Sequence, residues 1–353
     1  ATLPTSLVIV GTALATNPAS MMMRQFGRRM GFVLGALIGA VGGALCTYAV
    51  ISADLWLFSA GAFLFGLFSG FAQLYRFAAT DVAAADYRSK AISLVLAGGV
   101  VAAFLGPEMA KLGKDMIGSA QFAGGYILLV AISFLSAIVL MALDIPRQTR
   151  TEREGRRRPL TQILAQPVFI AATVAGAIAQ GVMTLLMTAT PIAMQHVHHD
   201  FDDTALVIEW HIFAMFAPGF ITGWMVERYG EVRMIHAGIV LQLACIAVAL
   251  SGHGVTEFWV ANVLLGLGWC LTFTAATSLT TFAYTPAERD HTQGATNFII
   301  YAFVALLSLL SGALVHYFGW MWVNIGAVPL LLLAVLVMLW YSAQPRHQVA
   351  ATG

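Results

Sequence analysis

The chain has 353 residues, of which 59% are hydrophobic and only 10% charged; a soluble domain carries about 25% charged residues. That composition excludes a water-soluble globule and a disordered chain. With 18 Lys and Arg against 17 Asp and Glu, no net field would draw in a nucleic acid. A helix needs about 20 apolar residues to cross a bilayer, and such runs recur from end to end. They predict spans at residues 5–23, 31–50, 55–77, 91–110, 123–143, 167–190, 204–225, 234–251, 257–279, 293–316 and 320–341. Most linkers between them are short, so neighbouring spans run antiparallel. The exception is the polar stretch from Asp144 to Gln166, which leaves five spans before it and six after. The expected organisation is an N-terminal half over 1–143, a linker over 144–166 and a C-terminal half over 167–353.

Lys and Arg placement sets the orientation. Arg24, Arg28, Arg29, Arg76, Arg88, Lys90, the linker arginines 147, 150, 153, 156, 157 and 158, then Arg228, Arg233, Arg289 and Arg346 fall on one side. That side is the cytoplasmic one, and only Lys111 and Lys114 face out. Three cysteines, Cys46, Cys245 and Cys270, lie in apolar runs with no CxxC, so they define no disulfide framework.

An internal repeat is legible. RQFGRRMG around Gly27 answers GWMVERYGEVRM around Gly230, and TDVAAADYRSKA around Arg88 answers AYTPAERDHTQGA around Arg289. Two spans precede Gly230 in the second half, but only one precedes Gly27, and the chain has no initiator Met. The expectation is that a first helix is absent from this sequence and that the intact protein has six plus six spans.

Six plus six spans with a basic central loop resembles the major facilitator superfamily. Gly223, Glu227, Arg228 and Gly230 fit its loop signature, a glycine, three residues, an acid, arginine and a further glycine. The first-half copy departs from it: Ser20 replaces the glycine and Arg24 the acid, while Gly27, Arg28 and Arg29 remain. Gly106-Pro107 is similar to the superfamily's fifth-helix glycine–proline motif. The resemblance implies an all-α membrane fold with a midplane site between two halves. Its cavity is lined by helices one, four, seven and ten, here the absent helix and the third, sixth and ninth spans.

Two spans carry the sharpest chemistry. The sixth reads QGVMTLLMTATPIAM, with Met183 and Met187 four apart, and the seventh reads EWHIFAMFAPG, with His211 and Met215 four apart. Residues i and i+4 share a helix face, so each helix can aim two donors at one spot. Three thioethers and an imidazole suit Cu(I) and need no carboxylate. The same spacing also suits apolar packing, for which Met is a common filler, although an intramembrane His is costly and usually functional.

This paired pattern resembles CcoA-like copper importers of the superfamily. That resemblance implies copper import across the bacterial cytoplasmic membrane for haem–copper oxidase assembly. It makes copper the cargo rather than a cofactor, the bilayer the surrounding partner, and a periplasmic or cytoplasmic copper chaperone the exchange partner. Relatives in the same branch carry riboflavin. An organic solute of that kind calls for aromatic stacking groups, which Trp210, Trp224, Trp269 and Phe273 could supply. A third alternative is a non-transporting assembly factor.

Other residues have open roles. The outer loop with His196, His198, His199, Asp200, Asp202 and Asp203 reads as a copper-collecting or simply solvated segment. Met21, Met22 and Met23 point to three faces, and the cysteines read as buried apolar groups. Gln180 and Glu209 are polar residues within spans, with Glu209 taken as an outer-end group. Arg76 and Asp81 read as a pair at the inner end of the third span. No Walker motif and no catalytic constellation occurs, so neither ATP-driven transport nor enzyme activity is expected.

Overall fold

The computed structural model describes residues 3–118, 120–145 and 158–344. Among them are ten single helices long and apolar enough to cross a membrane and one bent pair. We label these spans α1 (Leu3–Phe26), α2 (Arg28–Ser52), α3 (Leu55–Asp81), α4 (Arg88–Lys114), α5 (Ala123–Ala142), α6 (Pro167–His196), α7 (Phe201–Phe216 with Gly219–Tyr229), α8 (Glu231–Ala249), α9 (Val255–Ala283), α10 (Arg289–Val315) and α11 (Tyr317–Ala343). Each expected span is present, extended at most ends by a few residues. No backbone polar group can go unpaired in hydrocarbon, which is why each apolar run becomes helix.

Local chemistry sets several ends. The Asp54 carboxylate accepts the backbone N–H groups of Trp56 and Leu57 and so caps α3. Pro167 opens α6, where its missing N–H is harmless. Gly27 and Gly230 turn α1 into α2 and α7 into α8 with nearly the same dihedrals, φ 92 and ψ 156 against φ 85 and ψ 154. Only glycine holds that region cheaply, so the repeat read from sequence is also a repeat of backbone shape.

Three spans are discontinuous, a feature hydropathy does not register. α3 breaks at Gln73–Leu74, α4 at Gly98, and α7 bends by 42° at Ala217–Pro218. Gly106 and Pro107 lie inside the continuous helix Gly99–Lys114, so the break in α4 is not at that pair.

Two apolar cores correspond to two bundles. One gathers Ala19, Met23, Phe32, Phe71, Phe77 and Leu140 from α1, α2, α3 and α5; the other runs through α6 to α11 from Ala171 to Met338. α6 and α9 are the most enclosed spans, with 72% and 67% of their apolar windows buried, against 11% for α5. Close approach between helices relies on small residues: a Cβ on Gly66 of α3 would lie 2.2 Å from the Val8 carbonyl oxygen of α1. The bundles meet where α1 packs on α10 and α4 on α7. Of the basic linker, Arg147, Arg150, Arg153, Arg156 and Arg157 lie outside the described residues, as does Arg346. Arg158 is described, and it anchors the linker's end to Glu288 between α9 and α10.

Candidate functional site

Trp269 stands halfway along α9, and Gln180 and Phe216 stand near the middle of α6 and α7. These three meet at one level of the bilayer. The Trp269 indole N–H donates to Gln180 Oε1 at 2.7 Å. Its ring stacks on Phe273 one helical turn further in, with centroids 4.9 Å apart and planes inclined by 17°. Phe216 meets the Trp269 ring edge-on at 5.8 Å. A polar amide fixing an aromatic face at the midplane is a ready platform for a planar solute.

The other two aromatic candidates lie elsewhere. Trp210 is 42% exposed and contacts Phe213 and Trp259, while Trp224 is 48% exposed and lies against Tyr229 and Arg228. Both are on the outside of α7, where amphipathic rings suit lipid. Glu209 acts on Lys111 of α4 across the outer end of the seam, in keeping with an outer-end group.

The four sulfur and imidazole residues are distributed as follows. Met183 and Met215 are buried, 4% and 8% exposed, within the apolar core of the second bundle, and Met187 packs against it. Trp269 and Phe273 belong to the same buried core, 4% and 1% exposed, so burial alone does not separate a packing methionine from a ligand. His211 is wholly buried and turned toward α9: its Nδ1 donates to the Asn262 carbonyl at 2.8 Å. The Asn262 amide in turn donates to Thr190 Oγ1 on α6 at 3.2 Å. The Nε2 of His211 is buried without a partner.

The outer loop does not gather a second metal site. His199 Nε2 bonds the His253 carbonyl at 2.7 Å, and among the described residues no three His, Cys, Asp or Glu side chains converge on one point. Cys46, Cys245 and Cys270 are all free and buried.

Below the platform, toward the cytoplasm, lies Arg76. It is 3% exposed. Arg76 and Asp81 do not pair, contrary to the sequence expectation. Its guanidinium donates to Gln73 Oε1 at 2.9 Å and to Asn297 Oδ1 of α10 at 2.6 Å, and it covers the Phe273 ring at 4.5 Å. Trp269, Phe273 and Arg76 therefore form one continuous stack from the midplane inward. A narrow crevice bounded by Arg76, Gly176, Phe273, Thr277, Thr296 and Ile300 has no room for a water molecule. Sequence reading missed this arrangement; the signal was present in the buried arginine itself, five residues before the end of its span.

Further in, the polar contacts between the bundles close the cytoplasmic end. Asp81 of α3 takes Arg28 of α2 at 2.5 Å and Arg289 of α10 at 2.7 Å. On the second seam Lys90 of α4 pairs with Glu227 of α7 at 2.7 Å. Gly223 passes so close to α4 that a Cβ there would lie 2.6 Å from Lys90 Cα, which explains the signature glycine. On the first seam the corresponding Ser20 donates to the Asp290 carbonyl, and Arg24 bonds His291 Nε2 at 3.0 Å.

Known proteins share this architecture. The profile described as Major Facilitator Superfamily matches residues 1–217 and again 172–353. The riboflavin transporter RfnT of Brucella anthropi is 40% identical over 99% of this chain and 88% of its own length. Among solved structures, FucP in the outward conformation superposes with a TM-score of 0.74 at 13% identity, covering 97% of this chain and 90% of that one. The human organic anion transporter MFSD10 (TETRAN) gives 0.73 at 15%, covering 96% and 83%. None of these three is named as a copper carrier, so the narrower resemblance to copper importers gains no support from them. Two pseudo-equivalent bundles, glycine-turned repeat loops and a profile match along the whole length lead to one assignment: the chain belongs to the major facilitator superfamily.

Proposed function

We propose that the protein is a secondary transporter of a bacterial cytoplasmic membrane that imports riboflavin, or a planar heteroaromatic solute like it, by alternating access. The observation that carries this reading is the midplane platform of Trp269, Phe273 and Phe216 with its fixed Gln180 amide. The likeness to a riboflavin transporter at 40% identity supports it. Ring-on-ring stacking contributes about 0.5–1.5 kcal/mol beyond area burial, and the amide adds orientation. The test is uptake of radiolabelled riboflavin by riboflavin-auxotrophic cells that lack their own carrier. Uptake no higher than in vector-only cells would sink the reading.

Copper import is the second reading, and one observation favours it. An imidazole whose Nδ1–H is held by a carbonyl, with Nε2 free, is arranged as metal-bound histidines are. Met183, Met187 and Met215 would complete the set. The buried Arg76 weighs against it. A cation entering the interior is repelled by that guanidinium, and the low dielectric there screens the repulsion only weakly. A neutral or anionic ring meets none. Radioactive copper uptake by the wild type and by His211→Ala, run beside riboflavin, separates the two cargoes.

A further inference from the structure

Arg76 is a charge inside a membrane protein. Its contacts are two amide oxygens, the Tyr301 hydroxyl and two aromatic faces, those of Phe273 at 4.5 Å and Phe77 at 5.0 Å; among the described residues no carboxylate acts on it. Aromatic faces and neutral oxygens soften a buried cation but do not neutralise it. The neighbouring bond inventory is also incomplete. Arg76 Nε and Asn297 Nδ2 are both buried donors without acceptors, although the two side chains bond each other through Nη2 and Oδ1. Two orphan N–H groups beside an uncompensated positive charge define a place that lacks acceptor oxygen and negative charge. Phe273 lies between this place and Trp269, so the two are joined by one aromatic stack. Buried polar groups left unsatisfied are rare, and a ligand that completes them gains what the resting state forgoes.

We propose that Arg76 and Asn297 form an inner recognition site for the acceptor-rich or anionic edge of an aromatic solute, such as the paired carbonyls of an imide ring or a carboxylate. The site rests on the reading of the cargo as a planar organic molecule and adds its second determinant. The platform at Trp269 takes the ring face, and Arg76 with Asn297 takes the polarised edge as the crevice opens. Arg76 belongs to the first bundle and Asn297 to the second, so an edge bound between them touches both halves. A planar fork also suits a planar acceptor pair better than the point charge of lysine would.

The decisive variant is Asn297→Asp. It supplies the missing carboxylate from within the protein, so it should accumulate in the membrane at the wild-type level with no loss of thermal stability. It should also take over the guanidinium, raising the riboflavin KM at least tenfold. Arg76→Gln should raise KM similarly, and Arg76→Lys should fall between it and the wild type. A purely structural or gating role would lower Vmax and leave KM alone. The purified full chain is tested in parallel by thermal shift with riboflavin and with salicylate, a simple aromatic anion, and Asn297→Asp should lose the shift. A wild-type KM in Asn297→Asp, or no shift of the wild type by either probe, overturns the site. A salicylate shift that Asn297→Asp abolishes, in a protein that takes up no riboflavin, upholds the site and sinks only the riboflavin reading.

Discussion

Asp81→Asn should loosen the cytoplasmic seal. The Asp81 carboxylate bridges Arg28 in the first bundle and Arg289 in the second, with side chains 6% and 17% exposed. Removing the charge leaves one nearby acid, Asp290, at 4.0 Å and 3.8 Å from those two arginines. Breaking a buried pair by deleting one partner costs about 3–5 kcal/mol, because the remaining charge stays out of water. Opening the inner end hydrates both arginines and relieves that cost. The open population should therefore rise roughly 100- to 4,000-fold, up to saturation, at 1.4 kcal/mol per tenfold. The assay is maleimide labelling of Thr277→Cys in inside-out vesicles. Thr277 lines the closed crevice, and the three native cysteines are buried and contribute little background. Labelling should be slow in the parent and fast with Asp81→Asn added. Equal rates at equal protein levels would refute the idea that this carboxylate holds the seal.

Trp269→Phe keeps the ring and loses the N–H to Gln180, which should cost about 1 kcal/mol and raise the riboflavin KM roughly fivefold. Trp269→Ala removes a nearly buried ring and should abolish uptake with a marked loss of stability, and a fully active Trp269→Ala would discredit the platform. Burial alone would push the Glu288 carboxyl up, but the Arg158 side chain and the backbone N–H groups of Thr285 and Arg158 hold it at about 2 instead of 4.5. A depressed carboxylate stabilises above the ordinary value and loses that contribution as pH falls through its own, so the wild-type Tm should drop between pH 4.5 and 2. The effect is at most about 3 kcal/mol, less because Arg158 is 40% exposed, and Glu288→Gln should flatten it. Glu227→Lys should slow uptake severalfold by facing Lys90, and adding Lys90→Glu should restore it; a double variant no better than the single one counts against that contact.

The spans were legible because each apolar run is long enough to cross a bilayer and each break between them is polar or glycine-turned. The breaks inside α3, α4 and α7 were not, since hydropathy averages over a window: Gly98-Gly99 and Pro218-Gly219 are breakers that a window count passes over, and Gln73–Leu74 carries no helix-breaking signal at all. Pairing Arg76 with Asp81 failed for a geometric reason: five residues along a helix rotate the side chain by about 140°, so the two face different neighbours. The spacing of Met183 with Met187, and of His211 with Met215, did place each pair on one helix face. Spacing does not say which face meets the midplane and which meets the core, and Met183, Met215 and Trp269 are all buried in one core. The same ambiguity hid which of the four aromatic candidates were central: Trp210 and Trp224 are exposed, whereas Trp269 and Phe273 are buried.

The departure of the first-half loop from the superfamily signature takes on a physical meaning once the seams are compared. Arg24 occupies the place of Glu227, and His291 occupies the place of Lys90. The contact between the two places persists on both seams, as Arg24 with His291 and as Glu227 with Lys90. One seam thus holds a base beside an imidazole where the other holds an acid beside a base. The deeper layer differs as well. Beside the α1–α10 seam the buried Arg28–Asp81–Arg289 bridge ties α2 and α3 to α10, whereas beside the α4–α7 seam Ser89 of α4, Ser278 of α9 and Glu231 of α8 are joined by hydroxyl hydrogen bonds. Lys90 and Glu227 are 36% and 23% exposed, and a partly exposed pair contributes only about 0.2–1 kcal/mol. The α4–α7 seam is also the one whose two helices are both broken, at Gly98 and at Ala217–Pro218. Opening of the cytoplasmic end is thus expected to begin along α4 and α7, with the buried bridge of α2 and α3 to α10 giving way last. On that order Asp81→Asn should change the open population far more than Glu227→Lys does, and the reverse ranking in the labelling assay would show that the seams release in the opposite sequence.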